Sequence, residues 1–154
     1  MLHRFLKITP TTLLLVFFQQ VCCAQCPEMP LNSLQVIQNT ASDQKENKIL
    51  QEGFDLRQSV TKKGSVTHIY TKCWVTSAGQ KDFYRQKLFW NQEDDTIKLA
   101  LLDEQQFQSI RKTLDERHPS GAGAAVVVGK VYKYYLGSEK IDGLDYYTVL
   151  VAKK

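Results

Sequence analysis

The chain has no hydrophobic run long enough to cross a bilayer as a helix. The longest candidate, Leu13-Leu14-Leu15-Val16-Phe17-Phe18, falls far short of the roughly 20 residues a span needs. It is preceded by the basic segment Met1–Lys7 and followed by the small-residue stretch Cys22-Cys23-Ala24. Basic start, short apolar core and small residues together are the pattern of a secretory signal peptide, with cleavage expected between Ala24 and Gln25. A retained anchor is the alternative, weakened by the short core. Lipidation is disfavoured because Val21, Cys22 and Gln25, which precede Cys22, Cys23 and Cys26, are not the usual small residues. The expected organisation is a cleaved signal peptide over 1–24 and a single domain over 25–154.

Charge of one sign is also missing. Of 20 basic and 16 acidic residues, only Arg4 and Lys7 fall in the leader, which leaves the rest at about +2. That balance points away from nucleic acid and from anionic membrane surfaces.

Imidazole and thiol are scarce. Beyond residue 24 the histidines are His68 and His118 and the cysteines are Cys26 and Cys73. Nucleophilic catalysis needs a base beside its nucleophile. His68 and Cys73 are out of phase in one strand pattern, so their side chains are expected on opposite faces. Two cysteines without paired histidines cannot form a structural zinc site. Glu93-Asp94-Asp95 lacks the alternating oxygen ligands of a calcium loop and reads as a solvated turn. Gly121-Ala122-Gly123 precedes a strand, whereas phosphate cradles open a helix. No catalytic residue, metal or cofactor is assigned. In an exported chain the two cysteines are instead expected to form a Cys26–Cys73 disulfide.

What is present in quantity is β-pattern. Val66–Thr76, Asp82–Asn91 and Thr96–Leu102 are runs of β-branched and aromatic residues separated by polar turns, the mark of an antiparallel meander. Phe54–Val60 reads as a strand before them, with Lys62-Lys63-Gly64 as the turn. A weak helical pattern runs from Asn32 or Ser33 to Gln51, and Gly53 is placed to end it. Asp103 caps a second helix with Gln106 three residues on, and Phe107, Ile110 and Leu114 form its apolar stripe. Val126–Leu136 and Leu144–Val151 read as two further strands joined by a loop from Gly137 to Gly143. The expected fold is α+β: an antiparallel sheet of about five to six strands with two helices on one face, in the order α-β-β-β-β-α-β-β.

The succession Gly53-Phe54, Trp74, Trp90 and Ile97, followed by Phe107 and Ile110, resembles a group of small exported bacterial α+β proteins of unknown function. The resemblance covers about residues 49–114. It implies a fold and a compartment, periplasmic or extracellular, and transfers no site residues.

The remaining signal is aromatic. In the central strand Ile69, Thr71, Cys73 and Val75 share one face, and His68, Tyr70, Lys72 and Trp74 share the other. If the helices cover the Cys73 face, Tyr70, Lys72 and Trp74 lie on the open one. Tyr84 and Trp90 share a phase on the next strand, and Tyr132, Tyr134 and Tyr146 extend the same surface. Such a face suits a protein partner, a small ligand or a glycan; the competing reading is ordinary core. The expected function is that of an exported, non-enzymatic interaction or binding protein, of the inhibitor, immunity or envelope-accessory kind. A small-ligand or glycan module is the alternative, and an enzyme of unrecognised class is the remote one. The partner is open, with self-association through an edge strand also allowed.

Overall fold

The computed structural model describes residues 26–76 and 83–154, so the expected signal peptide lies outside the described residues. Three α-helices and seven strands follow in the order α1 (Leu31–Asn39), α2 (Ser42–Gln51), β1 (Asp55–Lys62), β2 (Ser65–Val75), β3 (Phe83–Asn91), β4 (Thr96–Leu101), α3 (Glu104–Arg117), β5 (Val126–Val128), β6 (Tyr132–Ile141) and β7 (Leu144–Lys153). The strands form one antiparallel sheet in the order β1-β2-β3-β4-β7-β6-β5. The first four make a meander. Helix α3 then carries the chain to the far edge, and β5, β6 and β7 step back inward until β7 pairs with β4.

The α+β class and the one-sided helix layer match the expectation, while three details differ. The single first helix is two, because Thr40 and Ala41 adopt extended backbone between α1 and α2. The long strand from Val126 is also two, broken at Gly129. There a Cβ would stand 3.0 Å from the His118 ring, and the Gly129 N–H bonds the Tyr132 carbonyl at 2.8 Å. Finally, the loop expected over Gly137–Gly143 is strand as far as Ile141. The turn is only Asp142 (φ 53°) and Gly143 (φ 90°), a two-residue hairpin with both residues left-handed.

Period-two alternation across the whole sheet decides which face is covered. On one side, paired residues form unbroken apolar rows: Trp90–Ile97–Val151–Tyr134–Val127, and beside it Leu88–Leu99–Val149–Leu136. On the other, the row Thr71–Lys87–Ala100–Thr148–Gly137 is polar or small. The apolar side takes the helices. Leu31, Leu34 and Ile37 of α1, Ile49 of α2, and Phe107, Ile110 and Leu114 of α3 join these rows and Tyr70 in one buried core. The covered face is therefore that of Tyr70, not that of Ile69 and Thr71. Each fully buried Leu or Ile here contributes about 1.5–3 kcal/mol by removal from water.

Local signals close the elements. Helix α2 ends in a Schellman motif: Gly53 (φ 83°) donates to the Leu50 carbonyl at 2.9 Å and Phe54 to that of Ile49 at 3.5 Å. Asp103 caps α3 by accepting from the amides of Gln105 and Gln106. The Gln106 side chain does not complete a capping box. It is buried, accepts from Gln86 at 2.9 Å, and donates to the Cys26 carbonyl at 3.3 Å.

Cys26 and Cys73 are disulfide-bonded across a sequence separation of 47. The bridge fastens the segment before α1 to the end of β2 rather than to its middle. Closing a loop of this size stabilises by about 4 kcal/mol in the chain-entropy model. Reduction should lower the urea midpoint accordingly. Equilibrium unfolding with and without a phosphine reductant checks this, and coincident curves would show that the staple restrains nothing.

Candidate functional site

The helix-free face is concave. It holds a cleft of about 490 Å³, floored by β2 and β3 and overhung by the β6–β7 hairpin. Thr71 and Lys87 pair directly across the two floor strands, and both are buried although no helix covers them. The hairpin tip, Ile141–Leu144, supplies one wall. A Cβ at Gly143 would meet nothing within 4 Å, so this glycine serves the left-handed turn and not a close approach. Phe83 and Phe89 of β3, Ile69 of β2 and Tyr146 of β7 complete the apolar lining.

Strand β1 supplies the opposite wall through an irregularity. Leu56 pairs with Tyr70 and Gln58 with Ile69, so Arg57 has no opposite number. This is a β-bulge, in which one strand carries an extra residue. Its consequence is that two consecutive residues, Arg57 and Gln58, both line the cleft. In a regular strand they would point to opposite faces.

The electrostatics centre on Lys87. Its side chain is only 7 % exposed, and its ammonium is held by the Asp142 carboxylate on the hairpin tip. It also lies 5.3 Å from the Tyr146 ring centre, within cation–π range. The Tyr146 hydroxyl donates to the Tyr84 carbonyl at 2.6 Å. Burial, and then the Asp142 charge, push this phenol up to about 12, so it stays a neutral donor near pH 7. Lys98 sits 4.6 Å from the Phe89 ring centre and pairs with Glu139. The cleft thus offers apolar walls and a few fixed polar groups. Among the described residues no group of three or more His, Cys, Asp or Glu side chains could hold a metal ion.

The residues singled out in the sequence do not gather there. Of them only Tyr84 and Tyr146 line the cleft. Tyr70, Trp90, Tyr132 and Tyr134 are buried in the core beneath the helices, because their phase belongs to the apolar rows. Lys72 also faces the helix layer, donating to the Glu52 carbonyl at 2.8 Å with its ammonium 5.3 Å from the Phe54 ring centre. Trp74 is 62 % exposed near the end of β2. His68 bonds Ser59 at 2.7 Å and packs on Trp90, and His118 closes α3 beside Tyr134, so neither reaches the cleft. Sequence reasoning missed Arg57, Lys87 and Asp142. Only Asp142 carried a readable signal, its Asp-Gly hairpin dipeptide.

The acidic turn also departs from expectation. Asp94 is an ordinary turn residue, accepting from the Thr96 amide at 3.2 Å and the Thr96 hydroxyl at 2.7 Å. Asp95 instead anchors the helix layer. Its carboxylate accepts from Lys45, from Lys153 at 3.3 Å and from the Trp90 indole at 3.3 Å, while its backbone carbonyl accepts from Gln38. Lys45 is fully buried and also reaches the Gln38 carbonyl at 3.3 Å. Burial would raise the Asp95 carboxyl, but the hydrogen bonds and charges of Lys45 and Lys153 outweigh it and hold the group below its ordinary 3.8. Burial lowers Lys45, and Asp95 restores part of the loss.

No family model, no curated protein and no solved structure matches the chain.

Asp95→Asn leaves a buried ammonium without its counter-ion and should cost about 3–5 kcal/mol in urea unfolding. A carboxylate depressed on folding stabilises above its unfolded value, and the gain is lost as pH falls through the lower folded value. The native protein should therefore weaken as pH drops below about 4. The variant should lack this component of the acid slope. Parallel slopes for the two proteins would refute the assignment.

Proposed function

We propose that this is an exported, non-enzymatic binding protein that receives a small ligand in the helix-free cleft. The observation that carries the reading is the cleft itself. About 490 Å³ of space, lined by Ile69, Phe83, Phe89 and Tyr146, stands open on a sheet face that no helix fills. That size lies within the ~300–1,000 Å³ range of small-molecule sites, and the lining combines apolar side chains with the convergent polar groups of Arg57, Gln58, Thr71, Lys87 and Asp142. Export is supported by the leader-like residues 1–24 and by the Cys26–Cys73 bridge, since disulfides persist in oxidising compartments. No helix among the described residues is long and apolar enough to cross a membrane.

A protein partner is the second reading. It is favoured by the 62 % exposure of Trp74 and by β1, an edge strand exposed along all eight residues. Exposed edges are templates for pairing with another chain, including a second copy. The cleft is the stronger argument because it is a formed concavity with a re-aimed side chain, whereas an edge and one tryptophan specify no occupant.

The neutral fluorophore N-phenyl-1-naphthylamine tests the cleft without introducing charge. Its fluorescence should rise saturably at one equivalent per chain. Ile69→Trp, which fills the floor, should remove the rise while leaving the far-ultraviolet circular dichroism unchanged. Unsaturable binding, or full binding by the folded Ile69→Trp variant, would show that the cleft is not a ligand site.

A further inference from the structure

We infer that the cleft selects an amphipathic monocarboxylate, an acyl or aryl acid whose apolar body lies on the aromatic lining and whose carboxylate meets Arg57 and Lys87. The inference rests on the cleft being a ligand site and adds the charge and kind of head group.

Arg57 stands at the bulge of β1. A β-bulge interrupts the ladder and leaves a residue unpaired. Here it aims a guanidinium at a cavity that regular pairing would have turned it away from. The salt bridges among the described residues leave Arg57 without a carboxylate partner. A planar guanidinium is the side chain best shaped to grip a carboxylate through two parallel hydrogen bonds.

Among the described residues, the titratable side chains lining the cleft that are charged at neutral pH are Arg57, Lys87 and Asp142. Among these described residues two cations face one anion, a surplus of one positive charge. A monoanion neutralises it, a neutral sugar leaves it, and a dianionic phosphate overshoots it. Lys87 already carries the Asp142 carboxylate, so an incoming head group shares that ammonium and meets Arg57.

Ile69, Phe83, Phe89, Ile141 and Leu144 surround the polar groups with apolar surface. Small hydrophilic anions would leave that surface in water, whereas a chain or ring attached to the carboxylate would cover it. Neither element alone selects the class, and the two together do.

The test is displacement of N-phenyl-1-naphthylamine from the full chain, purified after export with its disulfide intact. The competitors are dodecanoate, dodecanol and dodecyl phosphate, each below its aggregation threshold. Dodecanoate should displace at a concentration at least about tenfold lower than dodecanol, the scale of one charge-assisted hydrogen-bonded contact. Arg57→Gln, an exposed edge-strand change, should remove most of that difference and leave dodecanol unaffected. Equal displacement by acid and alcohol, or an Arg57→Gln variant with the native preference, overturns the head-group assignment and leaves the cleft standing. A stronger effect of dodecyl phosphate overturns the monocarboxylate choice in favour of a dianion. If the fluorophore itself does not bind, the cleft reading fails and the inference fails with it.

Discussion

A lysine ammonium that is fully buried must meet an anion, and the covered side of this protein is arranged around that requirement. Lys45 leaves α2 and enters the core with no exposed surface. Stripping an ammonium of water costs several kcal/mol after relaxation, repaid only by good geometry and full hydrogen bonding. Asp95 supplies both, from a turn between β3 and β4 where its own backbone is left-handed at φ 49°. Gln38 of α1 clasps the same turn through the Asp95 carbonyl, Trp90 reaches it from β3, and Lys153 from β7. Asp95 thus ties α1 and α2 to β3 and β7, the first through its carbonyl and the rest through its carboxylate. Apolar burial supplies the larger energy but tolerates sliding, whereas this contact has one solution.

Fixing the helices on that side leaves the other face to find its own cover. The β6–β7 hairpin provides it. Because Asp142 and Gly143 turn the chain in two residues, the ladder continues to the Ile141–Leu144 pair. The sheet then curls over Thr71 and Lys87 without any helix above them. A longer loop, as the sequence suggested, would have ended the ladder several residues earlier and left the floor open. The cleft is therefore a product of turn chemistry, and its second wall of a single extra residue in β1.

These two origins explain what the sequence disclosed. The α+β class, the β1–β4 meander, the Asp103 cap, the Gly53 terminus and the Cys26–Cys73 bridge were all readable, because each rests on local pattern or on cysteine arithmetic. The facing of the sheet was not, since β2 alone is ambiguous: Tyr70 and Ile69 are both apolar. Only when Trp90, Ile97 and Val151 align across strands does one side become plainly the core, and that alignment is a property of register. Aromatic residues chosen for their chemistry, Tyr70, Trp90, Tyr132 and Tyr134, were drawn into the core by the same alignment. Nothing in Leu56-Arg57-Gln58 announces a bulge. Asp142-Gly143 did announce its turn, but Gly137 and Ser138 offered an earlier one.

The two faces share a motif of charge and differ in how it closes. On the covered side Lys45 and Lys153 share Asp95, each taking one carboxylate oxygen. The second cation is bound to the same anion as the first, and it stands 44 % exposed, so water absorbs the surplus. In the cleft Lys87 takes Asp142, but the second cation, Arg57, comes from the far edge of the sheet and does not pair with it. The surplus charge there, on the exposed Arg57, borders a cavity lined by Phe83, Phe89 and Ile141. An arrangement made only for stability would be expected to close as the Asp95 cluster does, with every cation on a carboxylate. A cation held apart from its neighbour's anion, beside apolar walls and placed by breaking a strand's register, closes no ion pair of that kind.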